Sequence, residues 1–310
     1  MDVKKPIVCL MGPTATGKTD LAIELIQQLP AEIISVDSAM IYREMNIGTA
    51  KPTPDILKQA PHRLIDIRDP SQAYSAGNFC EDVLVAIEDI FKKKHIPLLV
   101  GGTMLYFHVL QQGIAVLPKA NPKLRQQLQQ ELKKQGLEKL YIRLKVIDPK
   151  TAQRIHPNDP QRILRALEVA EITGQTLTEI QQSQSCTSLS YQFINIALIP
   201  DDRGHHHQII KNRFQNMLAQ GFIEEVENLF ERSDLNSDLP SIRTVGYRQI
   251  WRYLASELSH TEMQERAIIA TRQLAKRQMT WLRSWKNLYM LSTNEKNKCK
   301  KFIEHIKRVS

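Results

Sequence analysis

The chain has 310 residues, 42% hydrophobic and 24% charged, long enough for one large domain or two modest ones and ordinary for a globular protein. Its four cysteines (Cys9, Cys80, Cys186 and Cys299) lie far apart with no CxxC pair, which excludes a zinc cluster or a disulfide framework and points to a reducing cytoplasm. The apolar run after Lys4 and Lys5 is too short for a signal peptide and no membrane-length apolar stretch follows, so no membrane association is expected; the net charge of +9 suggests a polyanionic partner instead.

PIVCLM (6–11) reads as a buried strand, followed by a Gly-rich loop and a helix from Lys18 to Leu29. The loop, Gly12, Pro13, Thr14, Ala15, Thr16, Gly17, Lys18 and Thr19, satisfies G-x-x-x-x-G-K-[ST] between a strand and a helix, the context that motif requires. Its backbone N–H groups and the helix N-terminus suit a diphosphate, with Lys18 as a point charge and Thr19 as a hydroxyl for Mg2+. The motif specifies a polyphosphate without specifying ATP.

EIISVD (32–37) reads as a second strand ending in an acid, HIPLLVGGT (95–103) as a later one ending in two glycines and a threonine, and YQFINIALIP (191–200) as another. Strand carboxyl ends are where parallel α/β sheets bind ligands, so Asp37 and Thr103 are expected to converge on the loop. Asp37 can hold the Mg2+ shell or deprotonate an acceptor; as an isolated strand-end acid it is also an ordinary turn residue. The strand at 96–100 runs into Gly-Gly-Thr, so the second acid-terminated strand of a standard ATPase is missing.

Leu117 to Ser190 is helical and polar in pattern, with Asn121–Pro122 and Asp159–Pro160 as helix starts and Gly174 as a stop. The expected fold is α/β, a P-loop NTPase-like core with a parallel sheet flanked by helices, plus a small all-helical insertion domain. Residues 1–117 form the first part of the core and 118–189 the insertion, and 190–310 complete the core with basic C-terminal helices; from Asp201 onward everything reads as helix.

Arg162 and Arg165 lie one turn apart on a helix face opposite Ile163, Leu167 and Ala170, suited to clamping a phosphate or to solvation alone. Arg243, Tyr247 and Arg248 around Gly246 combine basic and aromatic groups, as nucleic-acid surfaces do. From Arg272 onward eleven Lys and Arg face only Glu295 and Glu304. On a helix through this stretch Arg272, Lys276 and Arg283 form a basic stripe, with Ala270, Leu274 and Trp281 as an apolar docking stripe opposite. His205, His206 and His207 point in different directions on a helix and complete no metal site, and Trp251, Trp281 and Trp285 read as packing anchors.

On GPTATGKT, DSAMIYREMNIGTAKP (37–52), PHRLIDI (61–67), YSAGNF (74–79), VGGTMLY (100–106), NDPQRILRALEV (158–169), IRTVGYRQ (242–249) and TRQLAKRQMTWLR (271–283), the sequence closely resembles the bacterial tRNA dimethylallyltransferases over nearly its whole length. The resemblance implies transfer of a dimethylallyl group from dimethylallyl diphosphate to N6 of the adenosine 3′-adjacent to the anticodon, with Mg2+ as cofactor and diphosphate as by-product. It implies a tRNA anticodon stem-loop as partner, and a monomer is expected. Carried onto matching positions, the loop holds the prenyl diphosphate, Asp37 is the general base, Thr103 and Lys18 assist, and Thr19 meets the metal. The tRNA interface implied comprises Asp37, Ser38, Ala39 and Met40; Thr103 and Arg125; Gln161, Arg162, Ile163, Leu164 and Arg165; Arg243, Thr244, Val245, Gly246, Tyr247 and Arg248; and Lys276, Arg277, Gln278, Met279, Thr280, Trp281, Leu282 and Arg283.

The sequence departs from that family in DRGHHHQIIKNRF (202–214), where His206, His207 and Ile209 stand in place of a Leu-His pair and an Arg, although Arg213 keeps its place. Thr16 stands where Ser is commoner. Three rival readings stay open: a phosphate-loop kinase of a nucleotide or metabolite with Asp37 as acceptor base, a non-catalytic RNA-binding protein, and a prenyltransferase of free adenine nucleotides.

Overall fold

Five consecutive side chains of the first strand, Ile7 to Met11, are at most 1% exposed, so apolar residues face both sides of the sheet, as the central strand of a parallel sheet requires. A computed structural model describes residues 5–113, 117–118, 121–183 and 191–309. Within them the strands β1 (Lys5–Met11), β2 (Ala31–Val36), β3 (His62–Arg63), β4 (Ile96–Gly101), β5 (Tyr191–Ile199) and β6 (Leu288–Ser292) form one sheet in the order β3-β2-β4-β1-β5-β6. Every pairing is parallel, with Cys9 opposite Leu99 of β4 on one side and Asn195 of β5 on the other.

The chain divides into two units, Met1–Gln111 with Ser190–Ser310, and Gln112–Leu189. In the first, helices α1 (Lys18–Ile26), α2 (Pro54–Gln59), α3 (Ala76–Lys92) and α4 (Met104–Gln112) accompany the strands, and Ser75 with Asn78 closes a capping box at the start of α3. The second unit is helical: α5 (Pro122–Gln135), α6 (Leu137–Ile147), α7 (Pro149–Arg154), α8 (Pro160–Thr173) and α9 (Leu177–Ser183). Leu128, Leu140, Leu144, Ile163 and Leu167 form its core. The Asn121 side chain caps α5, Asp159 caps α8, and Gly174 ends α8 in the left-handed conformation, φ 68°.

After β5 the first unit continues with α10 (Arg203–Ala219), α11 (Phe222–Phe230), α12 (Tyr247–Leu254), α13 (His260–Arg283) and α14 (Lys298–Val309). The expectation of helix alone beyond Asp201 fails at β6, which extends the sheet beside β5. Only Leu291 of its five residues is buried, so no apolar alternation marks this edge strand in the sequence. Helix α1 stops at Ile26 rather than Leu29, and β2 ends at Val36, leaving Asp37 free of the ladder. Among the described residues no helix is long and apolar enough to cross a membrane.

Candidate active site

The strand order puts the ends of β2, β4 and β1 side by side, and the loops that leave them open into one cavity of about 790 Å³. The loop after β1 turns its backbone through two left-handed residues, Ala15 (φ 63°) and Gly17 (φ 77°), a geometry that directs successive N–H groups into a concavity for an anion. The Thr16 hydroxyl and the Lys18 amine both donate to the Pro13 carbonyl, at 2.9 and 2.6 Å, and brace the loop from within. Burial pushes the Lys18 amine down to about 7; the Arg213 guanidinium pushes the same way and Asp37 opposes both. An anion entering the cavity supplies the countercharge Lys18 lacks. Thr19 also lines the cavity, at the first turn of α1.

The first residue after β2, Asp37, uses Oδ1 to accept the N–H groups of Ala39 and Met40 at 2.8 and 3.2 Å, which fixes the carboxylate on its own turn. Among the described residues Oδ2 has no hydrogen-bond partner. Thr103, two residues past β4, accepts the Ser38 N–H at 3.1 Å, so the turns after β2 and β4 are stitched together beside Asp37. Asp37, Ser38, Ala39, Met40, Thr103, Thr244, Val245 and Gly246 all line the same cavity. The convergence expected of Asp37, Lys18 and Thr103 is thus present.

One wall of the cavity runs through Gly48 to Thr53 and is held from behind. Glu225 of α11 accepts three successive backbone N–H groups, from Asn46, Ile47 and Gly48, at 2.9, 2.7 and 3.1 Å, and also the Tyr247 hydroxyl at 2.5 Å. A Cβ on Gly48 would lie 2.1 Å from the Phe222 ring, so this approach admits only glycine. Tyr247 is fully buried, with its ring edge-on to Phe222. Its part in IRTVGYRQ is therefore to anchor the wall, and Arg243 and Arg248 are the exposed members of the motif.

Helix α13 has three faces rather than the two expected. Ala267, Ala275 and Leu282 are buried, Lys276 and Arg283 are exposed, Arg272 is half-buried with an Nε that has no partner among the described residues, and Thr271, Leu274, Arg277, Gln278 and Trp281 line the cavity. Leu274 and Trp281 are accordingly cavity residues, not a docking stripe, and Arg277 is the basic side chain of α13 that lines the cavity. Met279 is half-buried and Thr280 exposed, whereas the buried Leu282 side chain packs inward.

In the helical unit, Gln161 and Arg162 are exposed and Leu164 is half-buried, but Ile163 is a core residue whose side chain cannot face a partner. Arg125 and Arg165 both bond Glu168, at 3.0 and 2.6 Å, and Glu168, 1% exposed, also accepts the Asn121 N–H at 2.9 Å. These two arginines hold a buried carboxylate as well as any ligand.

Glu225 has no signal as a site residue in the sequence, and Arg213 and His206 stand out there only as members of the 202–214 stretch, with no contact assigned to them. Arg213 lines the cavity from α10, on the inward face it shares with His206, Ile210 and Phe214. A cation on that face was the available signal. Of the three adjacent histidines only His206 is buried, and its Nε2 meets the Thr14 carbonyl at 2.9 Å. No group of three or more His, Cys, Asp or Glu able to hold a metal occurs among the described residues.

Residues 40–285 match the model of the family described as IPP transferase. The chain is 54% identical to the tRNA dimethylallyltransferase of Coxiella burnetii (strain Dugway 5J108-111) over 303 residues, 98% of this chain and 97% of that one. It is 54% identical to the enzyme of the same name from Thioalkalivibrio sulfidiphilus over 94% of this chain and 91% of that one. The full-length tRNA isopentenylpyrophosphate transferase of Bacillus halodurans superposes with a TM-score of 0.71 at 32% identity, covering 99% of this chain and 96% of that one. A eukaryotic dimethylallyltransferase acting on tRNA superposes with a TM-score of 0.81 at 25% identity, over 98% of this chain and 77% of that one. With its phosphate loop, strand-end acid and Gly-Gly-Thr turn meeting at one cavity, the chain belongs to the IPP transferase family.

Proposed function

We propose that the protein transfers the dimethylallyl group of dimethylallyl diphosphate to N6 of the adenosine 3′-adjacent to the anticodon of tRNA. The observation that carries this reading is the placement of Lys18, Asp37 and Thr103 on one cavity, with an anion cradle at one side and an unpartnered carboxylate oxygen at the other. The allylic C–O bond breaks as the C–N bond forms, and the negative charge that develops on the diphosphate is met by Lys18 and by the N–H groups of the loop. Asp37 keeps Oδ1 on its own turn and offers Oδ2 to take the proton the exocyclic nitrogen loses. Thr103 and Ser38 hold that turn against β4. Arg243, Arg248, Arg277 and the exposed residues of α8 are assigned to the RNA.

The donor set suits Mg2+ carried in with its diphosphate: the Thr19 hydroxyl is a hard oxygen ligand at the loop, and an ion that keeps its waters and substrate phosphates needs few ligands from the protein. When bound, Mg2+ would add charge stabilisation to the leaving diphosphate.

Incubation of the protein with Mg2+, dimethylallyl diphosphate and unmodified tRNA should add one five-carbon unit to the adenosine beside the anticodon. Asp37→Asn should abolish transfer with only a modest fall in tRNA affinity. ADP formed from ATP in step with an acceptor would replace this reading with the kinase one.

A further inference from the structure

Gln278 lies in the C-terminal third of α13 and is 8% exposed. Its Oε1 accepts the Thr14 N–H at 2.9 Å, and its Nε2 donates to the Gly102 carbonyl at 2.8 Å. One side-chain amide therefore spans two backbone segments: the phosphate loop after β1 and the turn after β4. The second segment continues into Thr103, which holds the Ser38 N–H next to Asp37. A Cβ at position 102 would sit 2.4 Å from Gln278 Nε2, so the second glycine of VGGTMLY leaves room for this amide. His206 meets the other side of the same Thr14 residue, at its carbonyl. The Thr14 N–H is thereby committed to Gln278, and the N–H groups further along the loop are the ones left for an anion.

We propose that Gln278 is a positioning residue for the transfer. It sets the spacing between the diphosphate loop and the Gly102–Thr103 turn and ties both to α13; it is not an RNA contact. Neither partner of the amide is replaceable by water without loss, since a buried backbone group left unpaired is costly. Leu274, Arg277 and Trp281 on the same helix line the cavity, so the amide also keeps that wall in register with the loop. The role rests on the reading that the loop holds the prenyl diphosphate.

Gln278→Met keeps the length of the side chain and removes both hydrogen bonds. In the full chain, calorimetry with inorganic diphosphate should show about tenfold weaker binding, and kcat should fall by at least as much, with tRNA affinity within about twofold of wild type. Gln278→Glu gives a second readout: ionised, its carboxylate keeps the Thr14 bond but repels the Gly102 carbonyl, whereas protonated, its hydroxyl donates there. Its activity relative to wild type should therefore recover as pH falls from 8 to 5.5. Loss of tRNA affinity with diphosphate binding intact, or wild-type diphosphate binding and kcat in Gln278→Met, would overturn the role. If the wild-type chain itself failed to bind diphosphate, the phosphate-loop reading would fall first and this inference with it.

Discussion

Lys18 offers the sharpest test of how the cradle works. With its amine pushed down to about 7 by burial and by Arg213, close to half of the free protein carries a neutral Lys18 at pH 7 and about one molecule in a hundred carries a charged one at pH 9. A bound diphosphate favours the ammonium and lifts that pKa, so binding takes up a proton in the window above pH 7. Affinity for dimethylallyl diphosphate, measured without tRNA, should fall about 50-fold between pH 7 and 9, or about 2 kcal/mol. Calorimetry in two buffers of different ionisation enthalpy should register an uptake of about half a proton at pH 7, rising towards one at pH 8 to 9. Lys18→Met should bind weakly with no such slope, and Lys18→Arg should bind with a flat profile. A flat wild-type profile, or the same slope in Lys18→Met, would refute the reasoning.

The same depressed pKa means that folding must discharge an amine the unfolded chain keeps charged. Lys18→Met should therefore melt at a higher temperature than wild type near pH 7, and the gap should close as pH rises towards 10. Glu225→Ala orphans the Asn46, Ile47 and Gly48 N–H groups and the Tyr247 hydroxyl, and urea unfolding should show a loss of about 2–4 kcal/mol. Gly48→Ala drives a methyl into Phe222 and should cost about 1–3 kcal/mol in the same assay while raising KM for the prenyl diphosphate. Burial raises the Glu168 pKa, but bonds from Arg165, the Asn121 N–H and Arg125 outweigh it and hold the carboxyl below its ordinary value. Its contribution is thus present above pH 4.5 and lost as pH falls through the depressed pKa; Glu168→Gln should cost about 3–5 kcal/mol at pH 7, read by tryptophan-independent circular dichroism, and the difference should shrink in acid.

What could be read from the sequence was local. The phosphate loop, the caps at Asn121 and Asp159 and the strand-end position of Asp37 each depend on residues within a few positions of one another, and the structure repeats them. The partners of Gln278 are 264 and 176 positions away and the backbone N–H partners of Glu225 177 to 179, so their roles have no local signature. A polar residue on a helix reads as solvated until the opposite wall is known. Helix α13 misled for the same reason: a periodicity of 3.6 separates apolar from basic residues but does not distinguish apolar side chains facing a core from those, like Leu274 and Trp281, facing a ligand cavity. Tyr247 and Ile163 lie in motifs that read as RNA-facing, yet both are buried, because a segment that presents arginines outward must anchor itself with its other face.

The Gly-Gly-Thr turn after β4 ties these observations to the chemistry. In a phosphate-loop enzyme that hydrolyses ATP, a carboxylate at a neighbouring strand end helps to hold the metal that activates the terminal phosphoryl group. Here that strand end carries Gly101, a glycine occupied from above by the Gln278 amide, and a threonine bonded to the Asp37 turn. Two acids line the cavity, Asp20 in the first turn of α1 and Asp37 at the strand end, and Asp37 is held at its Oδ1 by its own turn. Lys18 and the loop N–H groups offer an anion cradle, and Asp37, close enough to act on Lys18 and Arg213, keeps its Oδ1 on its own turn; on the proposed reading that division suits a diphosphate that leaves and a nitrogen nucleophile that arrives. If that division is correct, Thr103→Val should lower kcat by loosening the Ser38 turn while leaving diphosphate affinity within about twofold, since the Gly102 bond to Gln278 survives the change. Equal losses in both would place Thr103 on the diphosphate itself.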